Sequence, residues 1–96
     1  KNPKTNTKNA GFLPEERAWM DQFLASGYTD TFRHFEKGGD QYTWWSYRPG
    51  VREKNIGWRL DYFVSNEEYQ SRLKAAEHLC SVKGSDHCPV LLTLKR

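Results

Sequence analysis

The pattern of apolar and polar positions changes from a helical period near the start of the chain to the period of β-strands further on. Residues 14–25 open with a proline, carry Glu15 and Glu16 in the first turn and are followed by Gly27. These are the start and stop signals of a helix. Four apolar side chains of this segment fall on adjoining rows of one face, which predicts a stripe buried in the core: Trp19, Met20, Phe23 and Leu24.

Later segments have the composition of β-strands. Residues 42–47 and 57–65 are dense in aromatic and β-branched side chains, and residues 75–80 form a weaker candidate. The apolar run at 90–94 follows a proline and predicts a buried strand. These segments predict three or four strands.

Two short helical segments complete the pattern. Asp30 is placed to cap a turn that carries Phe32 and Phe35. The run Ser-Asn-Glu-Glu at 65–68 matches a capping box and predicts a helix that ends near residue 73. The order of helices and strands predicts an α+β fold with largely antiparallel pairing.

The segment 42–47 carries large rings on both faces, because strand alternation separates Trp44 from Trp45. Either both faces are buried or one face belongs to a binding site.

In the segment 57–65, Asp61 is a carboxylate in mid-strand among rings, and such a group needs a partner. The candidates are a structural arginine such as Arg59 and a catalytic imidazole.

The heptapeptide Gly-Ser-Asp-His-Cys-Pro-Val at 84–90 places an acid and an imidazole just before the last strand. A carboxylate there can hold a divalent cation, and an imidazole can hydrogen-bond a phosphate or exchange protons. On these seven residues alone, a solvated polar loop is the simpler interpretation. The remainder of the chain has to decide between the two interpretations.

Composition adds two constraints. The chain has 96 residues, 36% of them hydrophobic and 15% aromatic, so it forms at most one small domain with an unusual excess of rings. A disordered chain does not have this composition. The net charge of +3 is compatible with a polyanionic partner, and the basic loop 48–55 and the arm 1–9 are candidate phosphate contacts or solvated surface.

Two cysteines, Cys80 and Cys88, have no paired zinc-knuckle spacing. A zinc site built from these two with His78 and His87 is an alternative, although their spacing is not typical of a tetrahedral site. The sequence shows no secretion signal and no apolar run long enough to span a bilayer. The expected compartment is therefore the reducing cytoplasm, with no membrane partner.

Six ordered segments that cover nearly the whole chain resemble the exodeoxyribonuclease III family of apurinic/apyrimidinic endonucleases, within the endonuclease/exonuclease/phosphatase superfamily. The most specific are Tyr-Thr-Trp-Trp-Ser-Tyr at 42–47 and Gly-Trp-Arg-Leu-Asp-Tyr at 57–62. The other segments are 2–6 (Asn-Pro-Lys-Thr-Asn), 8–12 (Lys-Asn-Ala-Gly-Phe), 30–34 (Asp-Thr-Phe-Arg-His) and the heptapeptide at 84–90.

The resemblance implies a four-layer α/β sandwich of the DNase I-like type, with residues 1–96 as the C-terminal portion of one such domain. It further implies hydrolysis of the phosphodiester 5′ to abasic sites in duplex DNA, with Mg²⁺ or Mn²⁺ as cofactor. A 3′→5′ exonuclease and a 3′-phosphodiesterase activity, and DNA 3′ ends as substrates, belong to the same expectation. The compartment would be the nucleoid of a bacterium or the nucleus of a eukaryote.

The resemblance also assigns roles. It implies that His87 contacts the scissile phosphate, that Asp61 orients His87, and that Asp86 lies among the metal ligands, with His87 as a second candidate ligand. The residues implied to line the pocket for the abasic sugar are Trp44, Trp58 and Leu60. The residues implied to contact DNA are Asn6, Asn9, Tyr47, Arg48 and Lys54.

The family also has an N-terminal half that supplies a metal-binding Glu, an Asn, a Tyr and an Asp-x-Asn motif, and nothing in residues 1–96 replaces them. Asp86 alone is expected to hold Mg²⁺ poorly, since this cation takes several oxygen ligands. We therefore expect the chain alone to be inactive or nearly so, and to need the missing half as a partner. The alternatives are a non-catalytic DNA-binding module that keeps the sugar pocket, and a small zinc-stabilised interaction domain.

Overall fold

The computed structural model describes residues 1–9 and 11–96, so the motif at 8–12 lies partly outside the described residues, at Ala10. The elements begin with a 3₁₀ turn at Pro3–Thr5, helix α1 at Pro14–Ala25, strand β1 at Tyr28–Asp30 and helix α2 at Thr31–Phe35. They continue with strands β2 (Trp44–Trp45), β3 (Gly57–Trp58) and β4 (Val64–Asn66), a 3₁₀ helix at Glu67–Arg72, and strands β5 (Leu73–His78) and β6 (Val90–Leu94).

The strands form three antiparallel pairs: β1 with β4, β2 with β3, and β5 with β6. The register places Thr29 opposite Ser65 and Trp44 opposite Trp58. In the longest pair, Ala76 lies opposite Leu92. The predicted α+β class with mostly antiparallel strands is confirmed.

Helix α1 has the predicted bounds, and the prediction that its apolar stripe is buried is wrong. Trp19 is 60% exposed, and no residue of α1 is buried. At the C-terminal end of the stripe, Phe23 stacks on Tyr28 with ring centroids 4.4 Å apart, whereas Trp19 and Met20 face an open cavity. The sequence pattern defines which face is apolar, but burial also requires a second layer on that face.

The capping predictions are confirmed for one helix and corrected for another. Asp30 accepts a hydrogen bond from the Arg33 backbone N–H at 3.3 Å, as expected at the start of α2. The later helix is a 3₁₀ helix whose cap lies one residue later than expected: Asn66, and not Ser65, accepts from the Tyr69 N–H at 2.9 Å. Both residue types can cap, so composition alone did not decide between neighbours.

The predicted strand 57–65 is wrong in its middle, because it divides into β3 and β4. Between them, the backbone N–H groups of Leu60 and Asp61 both donate to the Thr43 hydroxyl, at 3.0 and 3.1 Å. A side chain has thus replaced the neighbouring strand as their acceptor. The predicted strand 42–47 is likewise shorter, and only Trp44–Trp45 forms β2.

The last strand pair is also shifted and more open than predicted. Strand β5 covers Leu73–His78 instead of residues 75–80. Strand β6 has the predicted bounds, but Leu91 and Leu94 are 44% and 42% exposed. A sheet face is buried only where another layer packs on it, and the strand expected to be fully buried contains no buried residue.

The core is small and built around Phe32, Trp45, Leu73 and Cys88. Three threonines are also buried: Thr29, Thr31 and Thr43. Thr31 donates from its hydroxyl to the Phe63 carbonyl at 2.7 Å, which ties α2 to the chain before β4. The face of Phe32 stacks on the ring of His78, with centroids 3.7 Å apart.

His78 is expected to make the fold acid-sensitive. Neither ring nitrogen has a hydrogen-bond partner among the described residues, and burial, together with the positive charge of Arg59, lowers the pKa of His78 from its usual value of 6.5. The unfolded chain therefore binds this proton more tightly, so stability that is present above pH 6.5 is lost as the pH falls through that value.

We expect His78→Leu to raise the free energy of unfolding at pH 5 by about 1 kcal/mol, since a buried polar group without partners is removed. Urea unfolding at pH 5 and pH 8 measures this. His34→Leu, on an exposed histidine of α2, should leave the acid dependence unchanged. Equal acid sensitivity in wild type and His78→Leu would contradict the assignment.

Candidate active site

The segment that carries Asp86 and His87 lies alongside strand β2. The Cys88 N–H donates to the Thr43 carbonyl at 2.8 Å, and the Trp45 N–H donates to the Asp86 carbonyl at 3.0 Å. Trp44 and His87 form the antiparallel bridge between these two bonds. The heptapeptide therefore acts as a third strand beside β2 and β3, and its backbone fixes where the two side chains emerge.

His87 and Asp61 are in direct contact. The His87 Nδ1 atom lies 2.6 Å from the Asp61 Oδ2 atom, and both side chains are about two-fifths exposed, at 42% and 37%. The partner of Asp61 is thus the imidazole. Arg59, the other candidate, pairs with Asp30 instead, and its Nη1 donates to Oδ1 at 3.0 Å.

The Asp86 carboxylate is held from two sides. The Trp44 indole N–H donates to Oδ2 at 3.0 Å, and the Ser85 hydroxyl donates to Oδ1 at 3.4 Å. The indole N–H, more than any other group, lowers the pKa of Asp86. The carboxylate is consequently anionic at neutral pH and offers oxygen atoms of the kind that a hard divalent cation prefers.

Residues 1–9 and 11–96 contain no group of three or more His, Cys, Asp or Glu side chains arranged to hold a metal ion. Of the two candidate ligands, Asp86 offers a carboxylate with the right chemistry, whereas the Nδ1 atom of His87 faces Asp61. These residues fit one position of a Mg²⁺ coordination shell and leave the others to groups outside them.

Two of the three candidate sugar-pocket residues line a broad cavity of about 760 Å³. Trp58 and Leu60 lie on its wall, together with Phe12 and Met20 from the region before and within α1. Trp44 contacts Trp58 edge to face, with centroids 6.2 Å apart, but does not line this cavity. The three side chains therefore form a continuous apolar cluster rather than one enclosed pocket.

The candidate DNA contacts divide into two sets. Tyr47 is 79% exposed, and Arg48 and Lys54 are exposed around the same loop. Asn6 and Asn9 instead bond to each other, with the Asn9 amide donating to the Asn6 Oδ1 at 2.6 Å. The Asn6 amide also donates to the backbone carbonyls of residues 1 and 2, so this side chain orders the arm itself.

The model of the endonuclease/exonuclease/phosphatase family matches residues 4–87. The chain belongs to this family. It is 53% identical over 92 residues to a DNA-(apurinic or apyrimidinic site) endonuclease of Dictyostelium discoideum. This match covers 94% of the chain and 26% of that relative. It is also 48% identical over 95 residues to an exodeoxyribonuclease of Bacillus subtilis (strain 168), and this match covers 98% of the chain and 38% of the relative.

The crystal structure of an AP endonuclease from Leishmania major superimposes with a TM-score of 0.83 at 36% identity, over 90% of the chain and 26% of that structure. The predicted relation to the DNase I-like fold is therefore confirmed. The chain spans about a quarter to two-fifths of the length of these relatives. No helix of the described residues has the length and apolar character needed to cross a membrane.

The zinc alternative is wrong for the described residues of this family member. His78 stacks on Phe32 in the core, whereas His87 contacts Asp61 at the surface, and the described residues do not bring the two imidazoles and the two thiols together as a metal site. The Cys80 and Cys88 sulfur atoms are 3.6 Å apart, and burial raises the pKa of Cys88 to about 12. The two thiols thus contact each other, and the described residues contain no group of three or more His, Cys, Asp or Glu side chains arranged to hold a metal ion.

Sequence reasoning missed two residues of the site. Thr43 is fully buried and accepts from the backbone N–H of Asp61, yet its only signal in the sequence is its inward position by strand alternation. Phe12 lies on the cavity wall and packs on Trp58 with centroids 5.5 Å apart. Phe12 is part of the motif at 8–12, which could have suggested it.

Proposed function

We propose that this chain supplies one side of the active site of a DNA repair nuclease that hydrolyses the phosphodiester 5′ to abasic sites in duplex DNA. The observation that carries the proposal is the His87–Asp61 contact beside the Trp44–Asp86 hydrogen bond. An imidazole held by one carboxylate, next to a second anionic carboxylate, suits hydrolysis of a phosphodiester. The family membership supports this class of reaction. Incision would be accompanied by 3′→5′ exonuclease and 3′-phosphodiesterase activity at DNA 3′ ends.

His87 is the group proposed to contact the scissile phosphate. Because Nδ1 faces the Asp61 carboxylate, Nε2 is the ring nitrogen that remains for the substrate. The carboxylate holds the imidazole in one orientation and stabilises its protonated form as charge develops. Asp61 thus acts through His87 and not on the substrate directly.

The proposed cofactor is Mg²⁺ or Mn²⁺, which supplies charge stabilisation for the phosphate oxygens when bound. Asp86 would provide one oxygen ligand, and Trp44 and Ser85 orient that carboxylate by their hydrogen bonds. His87 is the second candidate ligand. The other ligands would come from the remainder of the domain, which is the proposed protein partner of this chain.

Selectivity for a base-free sugar is proposed to come from the apolar cluster of Trp44, Trp58 and Leu60. Ring and aliphatic walls accept a bare deoxyribose, and an unpaired nucleotide is also the cheapest to turn out of the duplex. Tyr47, Arg48 and Lys54 are exposed and are the groups proposed to contact the duplex. The proposed macromolecular partner is therefore duplex DNA, in the nucleoid of a bacterium or the nucleus of a eukaryote.

An incision assay tests the proposal with a duplex that contains a single abasic-site analogue. We expect the 96-residue chain alone to cut poorly or not at all with Mg²⁺, because its described residues offer too few ligands. A chimaera in which this chain replaces the matching segment of the Bacillus subtilis exodeoxyribonuclease should cut. That cutting should be lost in EDTA and in the His87→Asn variant.

A second candidate function is a non-catalytic DNA-binding module. The lack of a three-ligand metal group among the described residues favours it, together with the exposed Tyr47 and its basic loop. In that case the chain should bind the abasic duplex equally well in EDTA, and the chimaera should not cut. Cutting by the isolated chain would instead show that residues 1–96 assemble a complete site.

A further inference from the structure

The Arg52 side chain links the loop 80–85, which precedes Asp86 and His87, to Trp45 of strand β2. Its Nη1 donates to the Ser85 carbonyl at 2.9 Å, and its Nη2 donates to the carbonyls of Cys80 and Val82, both at 3.1 Å. All three acceptors lie 28 to 33 residues away in the sequence. A planar guanidinium with several fixed donors is suited to holding carbonyls that face it from one loop.

The other face of Arg52 is held by an aromatic ring. Its Cζ atom lies 4.4 Å from the ring centroid of Trp45, a core residue that is only 3% exposed. The Trp45 indole N–H donates in turn to the Asn55 side chain at 3.0 Å. The arginine is therefore fixed by a rigid core residue, and it makes no ion pair among the described residues.

Other contacts hold the start of the loop: the Cys80 Sγ atom lies 3.5 Å from the Tyr42 carbonyl oxygen and 3.6 Å from the Cys88 Sγ atom. At the base, the Leu79 N–H donates to the Pro89 carbonyl at 2.8 Å and continues the ladder of β5 and β6. Beyond the base, Arg52 holds Ser85, and the Trp45 N–H holds the Asp86 carbonyl at 3.0 Å. Trp45 and its stacked arginine thus hold the carbonyls of the two peptide groups that flank the Asp86 Cα atom.

We propose that Arg52 is a positioning residue for catalysis: it sets the loop that places Asp86 and His87 against Trp44 and Asp61. This inference rests on the proposed function. Removal of the guanidinium changes none of the reacting side chains. It does allow the loop 80–85 to move, and with it Asp86 and His87. Misplacement of about 1 Å can cost roughly a hundredfold in rate, so the loss should appear in kcat.

The first measurement is steady-state incision by the chimaera described above. Arg52→Gln should lower kcat about tenfold to a hundredfold and change KM by less than about threefold. Arg52→Lys should recover part of the loss, because a single ammonium reaches fewer carbonyls. The matched control is Arg72→Gln, which also removes an arginine bonded to a carbonyl (Lys95, 3.4 Å) and lying over a ring (Tyr69, 5.6 Å).

The second measurement is amide hydrogen exchange by NMR on the unaltered 96-residue chain and its Arg52→Gln variant. The Trp45 amide, bonded to Asp86, should lose protection about tenfold while the ladder of β5 and β6 keeps its own. If Arg52 had only a general structural role, its replacement would lower the protection of the whole β5 and β6 ladder or leave all protection unchanged.

Unchanged kcat in Arg52→Gln, an equal loss in Arg72→Gln, or uniform loss of protection would each overturn the inference. If the unaltered chimaera does not cut, the proposed function has failed, and the catalytic role of Arg52 fails with it. Amide exchange then tests only whether Arg52 fixes the loop: loss of protection at the Trp45 amide supports that claim, and unchanged protection overturns it.

Discussion

Replacement of Asp61 by asparagine should lower the kcat of incision by about a hundred- to ten-thousandfold in the chimaera. The Asp61 carboxylate accepts from the His87 ring at 2.6 Å, and an amide of the same shape cannot stabilise a protonated imidazole. The amide can also present its N–H₂ to Nδ1 and so favour the wrong tautomer. Multiple-turnover incision of the abasic duplex with saturating substrate and Mg²⁺ measures kcat, and single-turnover incision measures the cleavage step itself.

The matched control is Asp40→Asn, the same chemical change on an exposed carboxylate that accepts from Lys1 and Tyr42. Its rate should stay close to wild type. Asp61→Asn should also keep the melting temperature of wild type within a few degrees, since its side chain is 37% exposed. A rate for Asp61→Asn within threefold of the control would mean that the pair does not serve catalysis.

The ends of α1 could be predicted from the sequence, because a helix start and stop depend on nearby residues such as Pro14 and Glu16. The Glu16 carboxylate does accept from the backbone N–H of Gly11 and Leu13, at 2.9 and 3.3 Å. The burial of Trp19 could not be predicted in the same way. Burial depends on which layer covers a face, and that layer is not encoded in the periodicity of the helix itself.

The candidate site shows the same division between local and distant information. The sequence indicated that Asp61 needs a partner, and a resemblance to a family suggested His87, which is 26 positions away. The residues that place the pair were not visible. In the sequence, Arg52 is only one of several charged residues in a basic loop. Its three carbonyl partners depend on the path of residues 80–85, which the sequence pattern does not give.

The break in the predicted strand 57–65 has the most direct consequence for the site. Alternation of side chains continues through it, so the pattern predicts one strand, but backbone pairing passes from β3 to the Thr43 hydroxyl. Two successive amides that share one hydroxyl acceptor leave the regular pairing of a strand, and no apolar pattern reports this. The interruption lies at Asp61 itself, whose carboxylate contacts His87.

Thr43→Val should lower the free energy of unfolding by about 2 kcal/mol and should also reduce incision. Valine has nearly the shape of threonine, so packing is kept at this fully buried position, but the amides of Leu60 and Asp61 lose their acceptor. A buried donor left without a partner costs about 1 to 3 kcal/mol. Denaturant unfolding of the 96-residue chain and incision by the chimaera measure the two effects.

Thr43→Ser is the control that separates the hydroxyl from the methyl group. It keeps the acceptor and removes one carbon, so it should cost only about 1 kcal/mol and preserve incision. The Thr43 backbone bonds to Trp58 and Cys88, at 3.0 and 2.8 Å, remain in both variants. If valine is tolerated as well as serine, water or a shifted backbone satisfies the two amides, and the Thr43 hydroxyl does not hold Asp61 in place.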